Sequence, residues 1–242
     1  MRHLPNLITL FNLLSGCIAL VFVGIGKYEL AFYFVCLGIF FDFFDGFLAR
    51  LLKVSSPLGV QLDSLADMVT SGVVPGFLMF RLIFEYQNEG ISVLDDFFPV
   101  NHILPLSGFL ITLGAAYRLA KFNIDTRQTK GFLGLPTPAN TLFIMSLPLV
   151  LVQYPEGIIS EILTNSYFLM ALAVFSTLLM NLELPLFSLK LSKEVNTSFI
   201  LSGVLVLAAI LMLVFMGWMA VPLTILLYIL LSLVFYRTQK AV

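Results

Sequence analysis

The sequence predicts an all-α integral membrane protein with about eight transmembrane helices, and three observations carry that prediction. Of 242 residues, 60% are hydrophobic and 11% charged, with a mean hydropathy of +1.02, whereas a soluble domain carries about 25% charged residues. Apolar runs recur along the chain at the ~20-residue length that ~30 Å of hydrocarbon demands of a helix. Those runs are continuous and lack the alternation of an outer-membrane barrel strand. This composition excludes a soluble globular domain, a disordered chain and a disulfide-built secreted module. A net charge of −1 leaves no polycationic surface, so nucleic acid is not an expected partner.

The runs fall at 6–26, 29–52, 60–84, 101–124, 137–154, 161–182, 197–216 and 218–236. The first opens on Pro5 and Asn6, is long, and has no small-residue cleavage site after it, so it reads as a retained helix rather than a signal peptide. Ser55, Ser56, Pro57 and Gly59 form a short turn that sets the second and third spans antiparallel. Between the third and fourth, residues 85–100 with Glu85, Glu89, Asp95 and Asp96 read as a solvated loop. The fourth span ends on Arg118, Lys121 and Asn123. Phe132 to Ala139, restricted by Pro136 and Pro138, reads either as an interfacial turn closing over a site or as a plain connector. The last two spans carry no charge, divide at Gly217, and look like packing or dimer-forming helices. Cys17 and Cys36 lie in apolar runs without metal-ligand or CxxC spacing, as buried, reduced packing residues do. His3, His102 and Trp218 sit where interfacial anchors are expected.

Eight spans place both termini on one side. Of the thirteen basic residues, that topology leaves only Lys27 and Arg81 on the other side. The remainder (Arg2, Arg50, Lys53, Arg118, Lys121, Arg127, Lys130, Lys190, Lys193, Arg237 and Lys240) mark the cytoplasmic face by the positive-inside rule.

Against this apolar background the second and third spans hold four aspartates near their cytoplasmic ends. Each would cost about 2.5–3.5 kcal/mol at mid-bilayer on insertion scales. Asp42 and Asp45 are spaced i,i+3, and Asp63 and Asp67 i,i+4, so each pair shares a helix face. The turn between the helices would bring the four carboxylates to one small volume, where they would repel. Arg50 and Lys53 could neutralise two at most. One or two hard divalent cations on oxygen ligands, Mg²⁺ or Mn²⁺, resolve the repulsion, and such ions commonly serve phosphate chemistry. The plain alternative is a set of snorkelling carboxylates at helix ends. Gly46 and Ala49 beside the acids, and Gly59 one turn before Asp63, leave room for a ligand; small residues in membrane helices also serve helix packing. At the end of the fourth span, Arg118 could clamp a carboxylate or phosphate oxygen and Lys121 could screen phosphate charge, or both could be positive-inside anchors.

Written out, the segment is Asp42-x2-Asp45-Gly46-x2-Ala49-Arg50-x8-Gly59-x3-Asp63-x3-Asp67. It resembles the signature of the CDP-alcohol phosphotransferase family, with every fixed position present. Pro5-Asn6-x2-Thr9-x2-Asn12 is similar to the start of the first helix in that family. The stretches 117–123, 131–139 and 185–190 resemble its phosphatidylserine synthase branch.

The resemblance implies a six-helix core over residues 1–193, a two-helix C-terminal extension over 194–242, and a homodimer. It further implies transfer of the phosphatidyl group of CDP-diacylglycerol to L-serine with release of CMP, by direct displacement rather than through a covalent enzyme intermediate. Carried over by position, Asp42, Asp45 and Asp63 would hold the ions. Asp67 would be the general base and could also touch metal. Asn6, Thr9, Gly46, Ala49, Arg50 and Gly59 would line the nucleotide and diphosphate pocket. Arg118, Lys121 and Asn123 are candidates for the serine or a phosphate. Two competing readings are another acceptor, glycerol 3-phosphate or inositol 1-phosphate, and a divalent-cation transporter. The phosphorylated acceptors call for a richer basic cluster than this chain has, and a transporter calls for acids continuing across the span.

Overall fold

A computed structural model describes residues 4–54, 56–87, 103–124, 132–186 and 197–240. Among them the chain is helical almost throughout. Helices α1 (Leu4–Gly24) and α2 (Tyr28–Leu51) form an antiparallel pair. Helix α3 (Pro57–Asp67) runs through a π-helical turn, Met68–Val73, into α4 (Val74–Gln87). A 3₁₀ segment, Leu104–Phe109, leads into α5 (Leu110–Ile124). Then come α6 (Thr137–Gln153), the short α7 (Ile158–Leu163), α8 (Ser166–Asn181), α9 (Thr197–Met216) and α10 (Ala220–Lys240). The strands β1 (Phe132–Leu133) and β2 (Pro185–Leu186) form one antiparallel pair, Phe132 opposite Leu186.

Four helical stretches are long and apolar enough to cross a membrane: Leu4–Gly24, Tyr28–Leu51, Pro57–Gln87 and Ile200–Phe235, with α6 and α8 as shorter apolar helices. The last stretch contains both α9 and α10. They part at a 3₁₀ turn, Gly217–Met219, where Gly217 takes φ +57° and Gln153 of α6 binds the turn from outside, accepting from the Trp218 N–H at 2.7 Å and donating to the Met216 carbonyl at 2.9 Å. A helix-permissive apolar run is thereby broken by one left-handed glycine and a side-chain cap.

The third span is the central one. Its apolar window is 72% buried, against 33% and 28% for α1 and α2. Leu78, Met79, Leu82 and Ile83 of α4 join Val23, Val35, Ile111, Ile144, Met145 and Leu169 in the core. Backbone approach is close there: a Cβ on Gly108 would lie 2.2 Å from the Phe80 nitrogen, and one on Gly76 2.1 Å from Thr112 Oγ1. The outward surfaces stay apolar, with Leu14, Val21, Phe43, Val214 and Phe215 exposed, as expected of helices whose solvent is lipid.

Three expectations need correction. Glu85 belongs to α4, not to a solvated loop. Its Oε1 pairs with Arg81 Nε at 2.8 Å and its carboxylate accepts from the Tyr28 hydroxyl at 2.8 Å. Arg81 also donates to the carbonyls of Val23, at 2.5 Å, and Gly24, so the cation meets the carbonyl end of α1, where the helix dipole is negative. Cys17 is exposed on α1 and Cys36 is half-buried, both as free thiols. The sixth span is shorter than its apolar run, because Asn165 caps α8 by accepting from the Tyr167 and Phe168 N–H groups. Arg2, His3, Ser55, Glu89, Asp95, Asp96, His102, Arg127, Lys130, Lys190 and Lys193, and the side chains of Arg237 and Lys240, lie outside the described residues.

Because Arg81 satisfies a carboxylate and a helix end together, Arg81→Met leaves Glu85 without its cation. Breaking a buried ion pair by removing one partner costs about 3–5 kcal/mol. With both side chains partly exposed here, at 11% and 22%, the lower end of that range is expected, read as a lowered Tm in detergent; an unchanged Tm would count against the assignment.

Candidate active site

The antiparallel turn after α2 is built locally. The Ser56 hydroxyl caps α3 by accepting from the Gly59 N–H at 3.0 Å, with Pro57 at the first helical position, a position where its missing N–H is harmless. The turn leads from α2 into α3, and α1 packs on both. Asp42, Asp63 and Asp67 each present a carboxylate oxygen, and these oxygens lie within 4.8 Å of one another. Asp63 Oδ1 is buried with no hydrogen-bond partner among the described residues. The ion pairs among the described residues are Arg81–Glu85 and Lys121–Glu183, so neither Arg50 nor Lys53 neutralises these acids. Three half-buried carboxylates and one orphaned oxygen form a donor set that a hard divalent cation satisfies, since two oxygens sharing an ion at ~2.0–2.5 Å stand about 4–5 Å apart at most.

Asp45 is handled differently. It is buried, and its Oδ2 accepts a short hydrogen bond from the Thr9 hydroxyl, which also reaches the Pro5 carbonyl at 3.1 Å. Its pairing with Asp42 on one face therefore does not place it in the cluster of three. Instead it lines a cavity of about 140 Å³ beside that cluster, together with Pro5, Asn6, Thr9, Gly46, Ala49, Val54, Ser56, Gly59, Val60 and Asp63. A Cβ on Gly46 would meet nothing within 4 Å among the described residues, so its bareness serves open space rather than packing. At Gly59 a Cβ would press on Asn6 Oδ1 and Ser56 Oγ, both at 3.2 Å. The structure thus gathers Asn6, Thr9, Asp45, Gly46, Ala49, Gly59 and Asp63 around one cavity. Arg50 is exposed and not among its lining.

The three polar residues at the end of α5 are separated by the structure. Arg118 is 9% exposed and donates to the Met180 carbonyl at 3.2 Å and the Gly134 carbonyl at 3.4 Å, which ties α5 to the end of α8. Lys121 pairs with Glu183 at 3.0 Å. Asn123 reaches the site helix, donating to Ser64 Oγ at 2.8 Å between Asp63 and Asp67. Residues 134–136 run from the β1–β2 pair along the end of α8, where the Gly134 N–H donates to the Leu184 carbonyl at 2.8 Å and the Leu135 N–H to that of Leu179 at 3.0 Å; none of 134–139 lines the cavity. Replacing Arg118 by alanine is therefore expected to lower Tm and to disturb both substrates alike. A selective rise in the KM of one acceptor would return Arg118 to the binding site.

Asn12 is the residue whose role the sequence left unassigned. Fully buried, it donates from Nδ2 to Asp67 Oδ1 at 3.0 Å. Its place one helical turn beyond Thr9 in the opening motif was the available signal; its partner 55 residues away was not readable.

A set of apolar helices thus places an aspartate cluster beside a small cavity. Residues 2–181 match the family model of CDP-alcohol phosphatidyltransferases, and the chain belongs to that family. It is 33% identical over 142 residues to the CDP-diacylglycerol–serine O-phosphatidyltransferase of Bacillus subtilis, covering 57% of this chain and 71% of that one. To the enzyme of the same name from Saccharomyces cerevisiae it is 33% identical over 181 residues, 66% of this chain and 60% of that one. To the archaetidylserine synthase of Methanothermobacter thermautotrophicus it is 28% identical over 185 residues, 75% and 69%. The chain thus spans between six- and seven-tenths of the length of these relatives.

Proposed function

We propose that this protein transfers the phosphatidyl group of CDP-diacylglycerol to L-serine, giving phosphatidylserine and CMP, with Mg²⁺ or Mn²⁺ held by Asp42, Asp63 and Asp67. The single observation that carries the reading is the juxtaposition of those three carboxylates with the small cavity over Gly46 and Gly59. Serine as acceptor is supported by the names of the relatives. One or two such ions, when bound, neutralise the diphosphate and stabilise the departing nucleotide's charge.

The chain's residues supply the rest. The cavity takes the polar part of the donor, with Gly46 and Gly59 allowing close approach and Asn6 and Thr9 offering polar groups along α1. Thr9 holds Asp45 against the cavity wall. Asp67 accepts the proton of the serine hydroxyl as its oxygen bonds to phosphorus and the phosphorus–oxygen bond to CMP breaks; a serine hydroxyl is a poor nucleophile at neutral pH without such a base. The acyl chains remain among the exposed apolar faces of the helices. In this proposal the protein is a multi-pass membrane protein with both termini and the site at the cytoplasmic face, supported by the distribution of Lys and Arg. It consists of the six-pass core and a C-terminal pair, α9 and α10, beyond the family-matched region, and forms the homodimer that the family resemblance implies.

The test is one assay on the purified protein with CDP-diacylglycerol and Mn²⁺, offering L-serine, glycerol 3-phosphate or inositol 1-phosphate separately and recording CMP. Serine-dependent CMP release is expected. Release with another acceptor alone would reassign the substrate, and none with any acceptor would refute the reading.

A further inference from the structure

We propose that Asn12 is a positioning residue that keeps one edge of Asp67 free to take a proton instead of letting the whole carboxylate close on bound metal. The inference rests on the transferase reading above and concerns how its base is held. Asn12 Nδ2 donates to Asp67 Oδ1 at 3.0 Å. Which way that amide faces is set by a second contact: the Thr70 hydroxyl donates to Asn12 Oδ1 at 2.8 Å and reaches the Asn12 carbonyl at 3.2 Å. With the amide oxygen occupied by a donor, the amide NH₂ must face Asp67.

The relay is seated in a place with no slack. Asn12 is 0% and Thr70 1% exposed. A Cβ on Gly16 would lie 2.4 Å from Thr70 Oγ1, and one on Gly38 would lie 2.8 Å from Thr70 Cγ2 and 3.0 Å from Asn12 Oδ1. Thr70 stands in the π-helical turn that begins directly after Asp67. Such turns are rare and frequently lie at functional sites. The three elements α1, α2 and the π turn therefore fix a single arrangement of two side chains behind the aspartate.

A carboxylate beside a divalent cation has two options. It can bind through one oxygen, or rotate and chelate through both, in which case neither is a free base. A directed N–H bond to Oδ1 fixes the carboxylate plane and opposes that rotation. Asn12 thus acts through Asp67 and touches neither substrate nor the reacting phosphorus.

The test compares Asn12→Leu, Thr70→Val, Thr70→Ser and the Asn12→Leu/Thr70→Val double variant with the wild type. It measures kcat, the KM of CDP-diacylglycerol, and Mn²⁺ affinity by electron paramagnetic resonance on protein without acceptor. Asn12→Leu is expected to lower kcat about 100-fold, at the low end of the range for losing base catalysis, with KM within about threefold and Mn²⁺ affinity no weaker than wild type. Thr70→Val is expected to lose about tenfold in kcat with the same split, and Thr70→Ser, which keeps the hydroxyl, to recover most of it. The double variant should be no worse than Asn12→Leu alone, as for two residues of one relay. Retained kcat, a parallel fall in kcat, donor binding and Mn²⁺ affinity, or additive losses would each overturn the proposal. If Asn12→Leu does not fold, the two Thr70 variants decide it by the same split. A wild type that releases no CMP refutes the transferase reading; a wild type that does, with variants that match it, refutes the relay alone.

Discussion

Asp67→Asn is expected to reduce turnover about 1,000-fold while CDP-diacylglycerol still binds. Asparagine has the shape of aspartate and its amide oxygen can still accept from Asn12 Nδ2, which reaches Asp67 at 3.0 Å, so the surrounding helices need not move. What is lost is the ability to accept a proton, and a positioned base contributes about 10²–10⁴-fold. Asp42→Asn serves as the comparison. It removes a charge from the same cluster but no proposed base, and so should weaken Mn²⁺ binding at least as much while losing activity that added Mn²⁺ partly restores. The checking measurement is kcat at saturating Mn²⁺ for both variants. An Asp67→Asn enzyme within tenfold of wild type, or one rescued by metal as Asp42→Asn is, would take the base role from Asp67.

The passage from sequence to site succeeded where spacing alone decides geometry. Asp63 and Asp67, four apart on a helix, had to share a face, and Ser56, Pro57 and Gly59 had to open a new helix after α2; both follow from 3.6-residue periodicity and capping. The apolar runs likewise fell on helices, four stretches of them long and apolar enough to cross a membrane and two shorter, because a span needs enough residues to cross the hydrocarbon. What could not be read was the choice of partner across helices. Asp42 and Asp45 look equivalent in sequence, yet one joins the acid cluster and the other turns to Thr9, a distinction set by α1, which packs against both α2 and α3. Arg118 had the residue type of an anion clamp, but two carbonyls at the end of α8 take its donors. Glu85 had the neighbours of a loop acid, and only the position of Arg81 and Tyr28 turns it into the closure of a buried network. Asn12 and Thr70 meet 58 residues apart, and the π turn that presents Thr70 leaves no periodic trace.

Stripping the protein of divalent metal is expected to have the second large effect, on activity and stability together. With Asp42, Asp63 and Asp67 oxygens gathered within 4.8 Å and no basic side chain among the described residues paired to them, the metal-free cluster carries like charges in a poorly solvated place, where repulsion is weakly screened. EDTA should therefore abolish CMP release, and Mg²⁺ or Mn²⁺ should restore it. Because the ion binds the folded site and not the unfolded chain, Mn²⁺ should also stabilise the protein, by about 2.7 kcal/mol at a hundredfold excess over its Kd, seen as a rise in Tm. Asp63→Asn makes the two effects separable. It removes a negative charge, so the metal-free variant should melt above the metal-free wild type, while the gain in Tm on adding Mn²⁺ shrinks and turnover falls. Stability is then bought at the expense of ion binding, an inversion that snorkelling carboxylates at a helix end would not produce. If metal-free wild type and Asp63→Asn melt together, and Mn²⁺ raises neither, the three aspartates are solvated surface acids and the metal centre is disproved.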